Sequence, residues 1–340
     1  MGSDDPGRLA ALYPDWVRPT GPFRPLGGGG GLSGARLWRC ACPAGETVIR
    51  AWPEASGGRA RIETIHGWLR AAADLTFLPQ PFAALDGRTV QEFGGRCWEI
   101  TPWLSGAPEA RRPPPADRVR AAFEALARFH ARLGSGSLVG PSPGLNARCE
   151  ELARLVRGGF DAIERAVATR AGDPLALSAK RWVDQARRVA PGVFAEVDAV
   201  RRREVPLQPC LRDARPEHFL FRDNVVVGLV DFGAMDVDCV AGDLARLLGE
   251  WLPRPECETQ REEGLAAYRR ARPISPAEEP LIDAFETLAD VLVGERWVRW
   301  RFVEDRRFDD PEAHALGIAR GLERLRRLAE RLVQPMPRQS

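Results

Sequence analysis

Lysine is almost absent from this chain: Lys180 is the only one in 340 residues, so nearly every positive charge is an arginine. A site for phosphate or carboxylate must therefore use guanidinium groups unless Lys180 itself reaches it, and the planar arginine fork, donating in pairs, suits such anions. Seven cysteines lie scattered without Cys-x-x-Cys spacing. That argues against a disulfide framework and a structural zinc site, and it fits reduced thiols in a cytoplasm. No uninterrupted apolar run approaches membrane-spanning length, and the start MGSDDPGRLA is acidic with no apolar stretch. The expectation is a protein that is neither exported nor membrane-bound. A formal net charge of only +2 removes any general attraction to nucleic acid.

What is present fits a folded chain of two lobes. Hydrophobic residues make up 44% and charged residues 28%, which excludes a disordered polymer, and the length supports a sizeable core. The most informative stretch is 211–233, LRDARPEHFLFRDNVVVGLVDFG. Phe219 to Phe221 and Val225 to Val230 are apolar and β-favouring, and Asp223-Asn224 between them suits a tight hairpin turn. Asp213 precedes the hairpin and Asp231 ends it, so both carboxylates emerge at one end of the paired strands. One is placed to take a hydroxyl proton and the other to hold a metal ion.

Upstream, PLGGGGGLSGARLWRCACPAGETVIRAWP (25–53) alternates in ARLWRC and again in ETVIRAW, which predicts two strands joined at Pro43-Ala44-Gly45. Gly29, Gly31 and Gly34 fit G-x-G-x-x-G, with Ser33 inside the loop. A dinucleotide fingerprint would run straight into a helix, whereas this one leads into a strand, the arrangement of a glycine-rich hairpin folded over a nucleotide. A flexible linker is the plain alternative. GRARIETIHGWLRAAA (58–73) carries Ile62, Ile65 and Leu69 at helical spacing. Glu63 lies off that stripe, either solvated or paired with Arg50 of the preceding strand, while His66 reads as a surface or packing residue. β-like pieces are expected around Phe82 to Leu85 and Arg96 to Thr101, the second running through Thr101 and Trp103 into a hinge. The segment 105–118 then breaks all periodicity and marks a lobe boundary. From 116 onward the pattern is helical: His130 falls on or beside a buried stripe, 147–170 and 176–200 read as further helices, and Asp243 reads as a helix N-cap. Trp297 and Trp300 form an aromatic patch whose default role is packing.

Together these parts resemble the aminoglycoside phosphotransferase and choline kinase family. Its members read H-G-D-x-x-x-x-N, then I-D-F or I-D-W, then a helix beginning near Asp, against LRDARPEHFLF, GLVDFG and AGDLARLL here. The resemblance covers roughly residues 23 to 335 in element order, with its specific motifs confined to 211–248. It implies an α+β fold, bilobal and protein-kinase-like, with a small β-rich N-lobe (1–104) and a larger, mostly helical C-lobe (105–340). It further implies an ATP-dependent transfer of the γ-phosphoryl group to a hydroxyl of a small molecule, with Mg²⁺ or Mn²⁺. Asp213 matches the catalytic aspartate, with Arg212 beside it. Asp231 matches the metal-binding aspartate, and His218 stands at the position of the metal-binding asparagine. Gly29, Gly31, Ser33, Gly34, Arg50, Glu63, Thr101 and Trp103 fall where nucleotide is held. Three departures stand out. His218 offers nitrogen in place of oxygen, Leu211-Arg212 replace His-Gly, and Arg50 stands where a lysine is usual. They leave open a second reading, an impaired relative that binds nucleotide or a protein partner without transferring phosphate. The implied partner is otherwise a small hydroxyl substrate, with no nucleic acid and no membrane, in the cytoplasm.

Overall fold

The structure is a computed structural model that describes residues 6–26, 34–134, 138–308 and 310–333. In chain order the elements are α1 (Pro6–Ala10), β1 (Arg24–Pro25), β2 (Arg36–Cys42), β3 (Gly45–Ala51), α2 (Gly58–Ala71), β4 (Gln91–Phe93), β5 (Arg96–Pro102) and α3 (Ala116–Leu133). There follow β6 (Val139–Gly140), α4 (Pro143–Arg154), α5 (Phe160–Thr169), α6 (Ala176–Asp198), β7 (Val205–Pro206), β8 (Gln208–Cys210), β9 (Phe219–Arg222) and β10 (Val225–Leu229). The chain continues through β11 (Asp236–Asp238), α7 (Ala241–Trp251), α8 (Glu258–Ala271), α9 (Glu279–Phe302) and α10 (Ala313–Val333). They fall into two compact units: Met1–Ser135 with Gln208–Asp236 and Leu247–Pro273, and Gly136–Leu207 with Val237–Arg246 and Ile274–Ser340.

In the first unit, alternation decides which residues are buried. Cys40, Ile49, Ala51, Trp98 and Ile100 point from one face of the sheet into a core closed by Leu9, Tyr13 and Val17, as the two-residue period of strands requires. The sheet runs β1-β2-β3-β5-β4, with neighbours antiparallel and Arg50 opposite both Leu37 and Glu99. Against it α2 buries Ile62, Ile65, His66 and Leu69. Helices α3 and α8 pack closely because Gly264 carries no side chain; a Cβ there would stand 2.9 Å from the Phe123 ring. The hairpin forms as expected. Arg222 pairs with Val225, and Asp223 takes the positive φ, 53°, that such a turn demands.

Two local expectations are corrected, at Phe82 to Leu85 and at Asp243. Phe82 to Leu85 is not a strand; its backbone bonds to scattered partners, Phe82 N–H to Ile100 O and Leu85 N–H to Leu12 O. The aperiodic segment 105–118 is held by specific contacts. Ala107 exchanges both backbone hydrogen bonds with Phe221, and the buried Glu109 accepts from Arg111 and Arg118, at 2.7 and 2.8 Å. With those arginines as hydrogen-bond donors, the Glu109 carboxyl is held down at about 2. Asp243 lies inside the first turn of α7 rather than capping it, where a negative charge still favours the helix N-terminus.

The second unit is helical. Between α4 and α5 the helix widens over Leu155–Gly159 around Gly158, whose φ is 129°, so 147–170 is two helices and not one. Trp182 of α6 fits against α9 only because position 294 is glycine: a Cβ there would meet the indole. Trp297, Trp300, Phe308 and His314 form an edge-to-face cluster. Arg306 covers both the Trp300 and Phe308 rings, so the expected packing role holds. Among the described residues no helix is long and apolar enough to cross a membrane.

Candidate active site

The strand β10 ends at Leu229, Val230 N–H still bonds to His218 O, and the chain then turns sharply at Asp231, whose φ is 64°. A non-glycine residue in that region is strained, although aspartate tolerates it better than most. The turn aims the carboxylate at Arg50 and His218. Asp231 Oδ1 accepts from Arg50 Nη2 at 3.1 Å, and Oδ2 lies 3.7 Å from His218 Nε2. Burial alone would raise the Asp231 pKa. The charges of Arg50 and His218, with hydrogen bonds from Arg50 and the Gly233 N–H, outweigh it and hold the carboxyl below its ordinary value.

His218 sits in a short turn, Pro216–His218, and its Nδ1 donates to Asp213 O at 2.9 Å, since a carbonyl can only accept. The hydrogen bond fixes the ring and leaves Nε2 facing Asp231. A lone pair on Nε2 and a carboxylate oxygen 3.7 Å apart are within the span two ligands of one divalent ion occupy at ~2.1 Å each. One carboxylate oxygen and one imidazole nitrogen fit such an ion. The mixed pair suits nitrogen-tolerant Mn²⁺ better than Mg²⁺. Arg212 also has positive φ, 60°, and its Nη1 lies 3.5 Å from Asp236 Oδ2. Arg61 of α2 donates from Nη2 to Gly233 O at 2.9 Å, tying that helix to the turn after Asp231.

These groups face a cleft of about 700 Å³, within the size of ordinary small-molecule sites. Trp38, Val48 and Arg50 line it from the sheet, Leu220, Val230 and Phe232 from the hairpin. Of the residues singled out from the sequence, Arg50, Thr101, Trp103, His218 and Asp231 line this cleft. Arg212 and Asp213 are not in its wall; Asp213 is joined to it through His218. Gly34 has φ 75° and directly precedes Ala35, which is in the wall. Gly29, Gly31 and Ser33 lie outside the described residues. Of the two readings of Glu63, the pairing with Arg50 is not formed: Glu63 is a partly exposed helix carboxylate 3.8 Å from Arg59, and Arg50 turns to Asp231.

Sequence reasoning missed four residues. His66, far from surface-exposed, is buried, with Nε2 2.6 Å from Glu99 Oε2 and Nδ1 2.7 Å from Thr89 Oγ1. Both His66 and Glu99 line the cleft. Arg61 gave no signal in the sequence beyond its helical position. Trp52 did: it lies two residues after Arg50, hence on the same face of an extended chain, and the Arg50 guanidinium sits 4.1 Å from its ring centre.

Comparison with known proteins shows the family and the fold. Residues 26–281 match the model of the phosphotransferase enzyme family. A homoserine kinase of Brucella anthropi is 28% identical over 234 residues, covering 68% of this chain and 63% of that protein. The chain thus spans under two thirds of that relative's length. An aminoglycoside phosphotransferase from Alicyclobacillus acidocaldarius superposes with a TM-score of 0.63 at 18% identity, over 95% of this chain and 94% of the other. The amicoumacin kinase hAmiN, in complex with AMP-PNP, Ca²⁺ and amicoumacin, gives 0.63 at 12% identity, over 97% and 94%. The fold is kinase-like, a small antiparallel sheet followed by a larger, mostly helical portion.

Proposed function

We propose that this chain, which belongs to the phosphotransferase enzyme family, transfers the γ-phosphoryl group of ATP to a hydroxyl of a small metabolite. The observation that carries the reading is the meeting of Arg50 with Asp231 and His218, which lie 168 or more positions further along the chain, in the wall of one cleft. Arg50 binds the phosphates with a guanidinium whose Nε is buried and has no acceptor of its own. Asp231 and His218 hold a divalent ion, Mg²⁺ or Mn²⁺, which when bound would offset charge on the phosphates. Asp213 orients the acceptor and takes its proton as the new oxygen–phosphorus bond forms and the β–γ bridge breaks, releasing ADP. Thr101 and Trp103, in the cleft wall, border the base. Lobes meeting at 104/105 and a cytoplasmic setting belong to the same reading.

The acceptor we favour is homoserine or a similar hydroxyl amino acid, on the strength of the curated relative. The arginines in the cleft wall, Arg36 and Arg50, suit an acceptor that carries a carboxylate better than a polycationic aminoglycoside. A quaternary ammonium is disfavoured too, because Arg306 already occupies the faces of Trp300 and Phe308. One observation favours the impaired reading: Arg50 pairs with the very carboxylate that the ion requires. Measured ATP consumption against homoserine and pooled hydroxyl metabolites, with Asp213→Asn as blank, separates the two. Stoichiometric phosphorylated product is expected, with turnover falling about 10²–10⁴-fold in the blank. ATP binding without product would leave the binding role alone.

A further inference from the structure

No helix carboxylate braces the phosphate-binding cation of this site. Glu63 of α2, the one carboxylate the sequence offered for that role, is paired with Arg59, and Arg59 is in turn held by Glu92 at 2.9 Å. What touches Arg50 instead is an aromatic face: its guanidinium carbon lies 4.1 Å from the Trp52 ring centre. The indole is 2% exposed, so the contact is desolvated, the condition in which a cation over an aromatic ring gains most. Trp52 is itself anchored at the end of β3, its backbone N–H bonded to Cys97 O at 2.8 Å. Position 233 shows how closely the groups converge. A Cβ on Gly233 would stand 3.2 Å from Arg50 Nη2, 3.4 Å from Asp231 Oδ1 and 3.6 Å from Trp52 Cζ3.

We infer that Trp52 is the positioning residue for Arg50, doing with an indole face what a helix carboxylate would do with charge. The inference rests on the reading of Arg50 as the phosphate ligand. Its chemical consequence is specific. A second carboxylate partner would neutralise more of the guanidinium charge and occupy further donors, whereas an aromatic ring takes up none of them, so that apart from the Nη2 bond to Asp231 the ring contact costs Arg50 no donor for phosphate. An arginine suits that support better than a lysine, since its flat ion stacks and a tetrahedral ammonium does not. The replacement of the usual lysine and the tryptophan two residues on are therefore one device.

The test is the affinity of Mg-ATP and Mn-ATP by calorimetry, with kcat and KM, for wild type, Trp52→Leu, Trp52→Phe and Glu63→Gln. Trp52→Leu should weaken nucleotide binding and raise KM about 5–30-fold with kcat within threefold, the range a desolvated cation–ring contact commands. Trp52→Phe, which keeps a ring face, should recover most of it, and Glu63→Gln should change KM less than twofold. In an Arg50→Met background Trp52→Leu should add less than twofold, because the group it positions is gone. Should Trp52→Leu not fold, Trp52→Met, whose flexible side chain fills irregular space without a ring, takes its place. Nucleotide affinity unchanged by loss of the ring, or a larger loss from Glu63→Gln, would overturn the inference while leaving the phosphotransferase reading intact. Wild-type protein that binds no nucleotide would overturn both.

Discussion

Two polar constellations face the same cleft and are built on opposite plans. His66, Glu99 and Thr89 are buried and closely joined, at 2.6 and 2.7 Å. Nε2 shares a hydrogen bond with the Glu99 carboxyl and Nδ1 one with the Thr89 hydroxyl, so both ring nitrogens are satisfied. Arg50, Asp231 and His218 are looser, at 3.1 and 3.7 Å. There the carboxylate is 45% exposed, the backbone at Asp231 is strained and Arg50 Nε has no acceptor. A network with every group satisfied gains nothing from a ligand. One with loose contacts, spare donors and strain exchanges its internal pairs for a ligand's. The first set belongs to the framework of the cleft, the second to its chemistry.

Substitution should separate the two. His66→Leu leaves Glu99 buried without its partner and should cost about 2–4 kcal/mol of stability, read as a lower chemical-denaturation midpoint. Nucleotide affinity in the folded fraction should suffer far less than from any change at Asp231; an affinity loss of the same size would erase the distinction. His218→Asn gives a smaller effect on the other set. Restoring a carbonyl oxygen should move the ratio of Mg²⁺- to Mn²⁺-supported turnover toward Mg²⁺, on the order of tenfold. An unchanged ratio would mean that His218 Nε2 faces Asp231 without sharing an ion with it.

The parts of the site that were legible in the sequence were the locally encoded ones. The β9–β10 hairpin announces itself through alternation and Asp223-Asn224, and the β2–β3 pair through ARLWRC and ETVIRAW, because strand period and turn chemistry act over a few residues. Asp213, Asp231 and His218 stood out through motif spacing. The pairings that organise the cleft did not. Arg50 and Asp231 are separated by 181 positions and His66 and Glu99 by 33, and no periodicity connects residues that far apart. Glu63 was favoured over His66 for the cleft because it is charged, whereas the turn of α2 carries His66 inward with Ile62, Ile65 and Leu69. The prolines of 105–118 read as a boundary because they exclude helix, yet Ala107 and Glu109 find partners in the folded protein that proline content does not reveal.

The central claim is that the Arg50–Asp231–His218 set gives up its internal pairing to bind a metal nucleotide. Thermal unfolding of wild type and Asp231→Asn, with and without millimolar Mg-ATP or Mn-ATP, tests it most directly, and asparagine is chosen because it tolerates the left-handed backbone at that position. Wild type should be stabilised with at least one of the two metals, by about 2–3 kcal/mol at a nucleotide concentration near 100 times Kd, and Asp231→Asn should show no such gain. No stabilisation of wild type with either metal, or equal stabilisation of both proteins, would contradict the account.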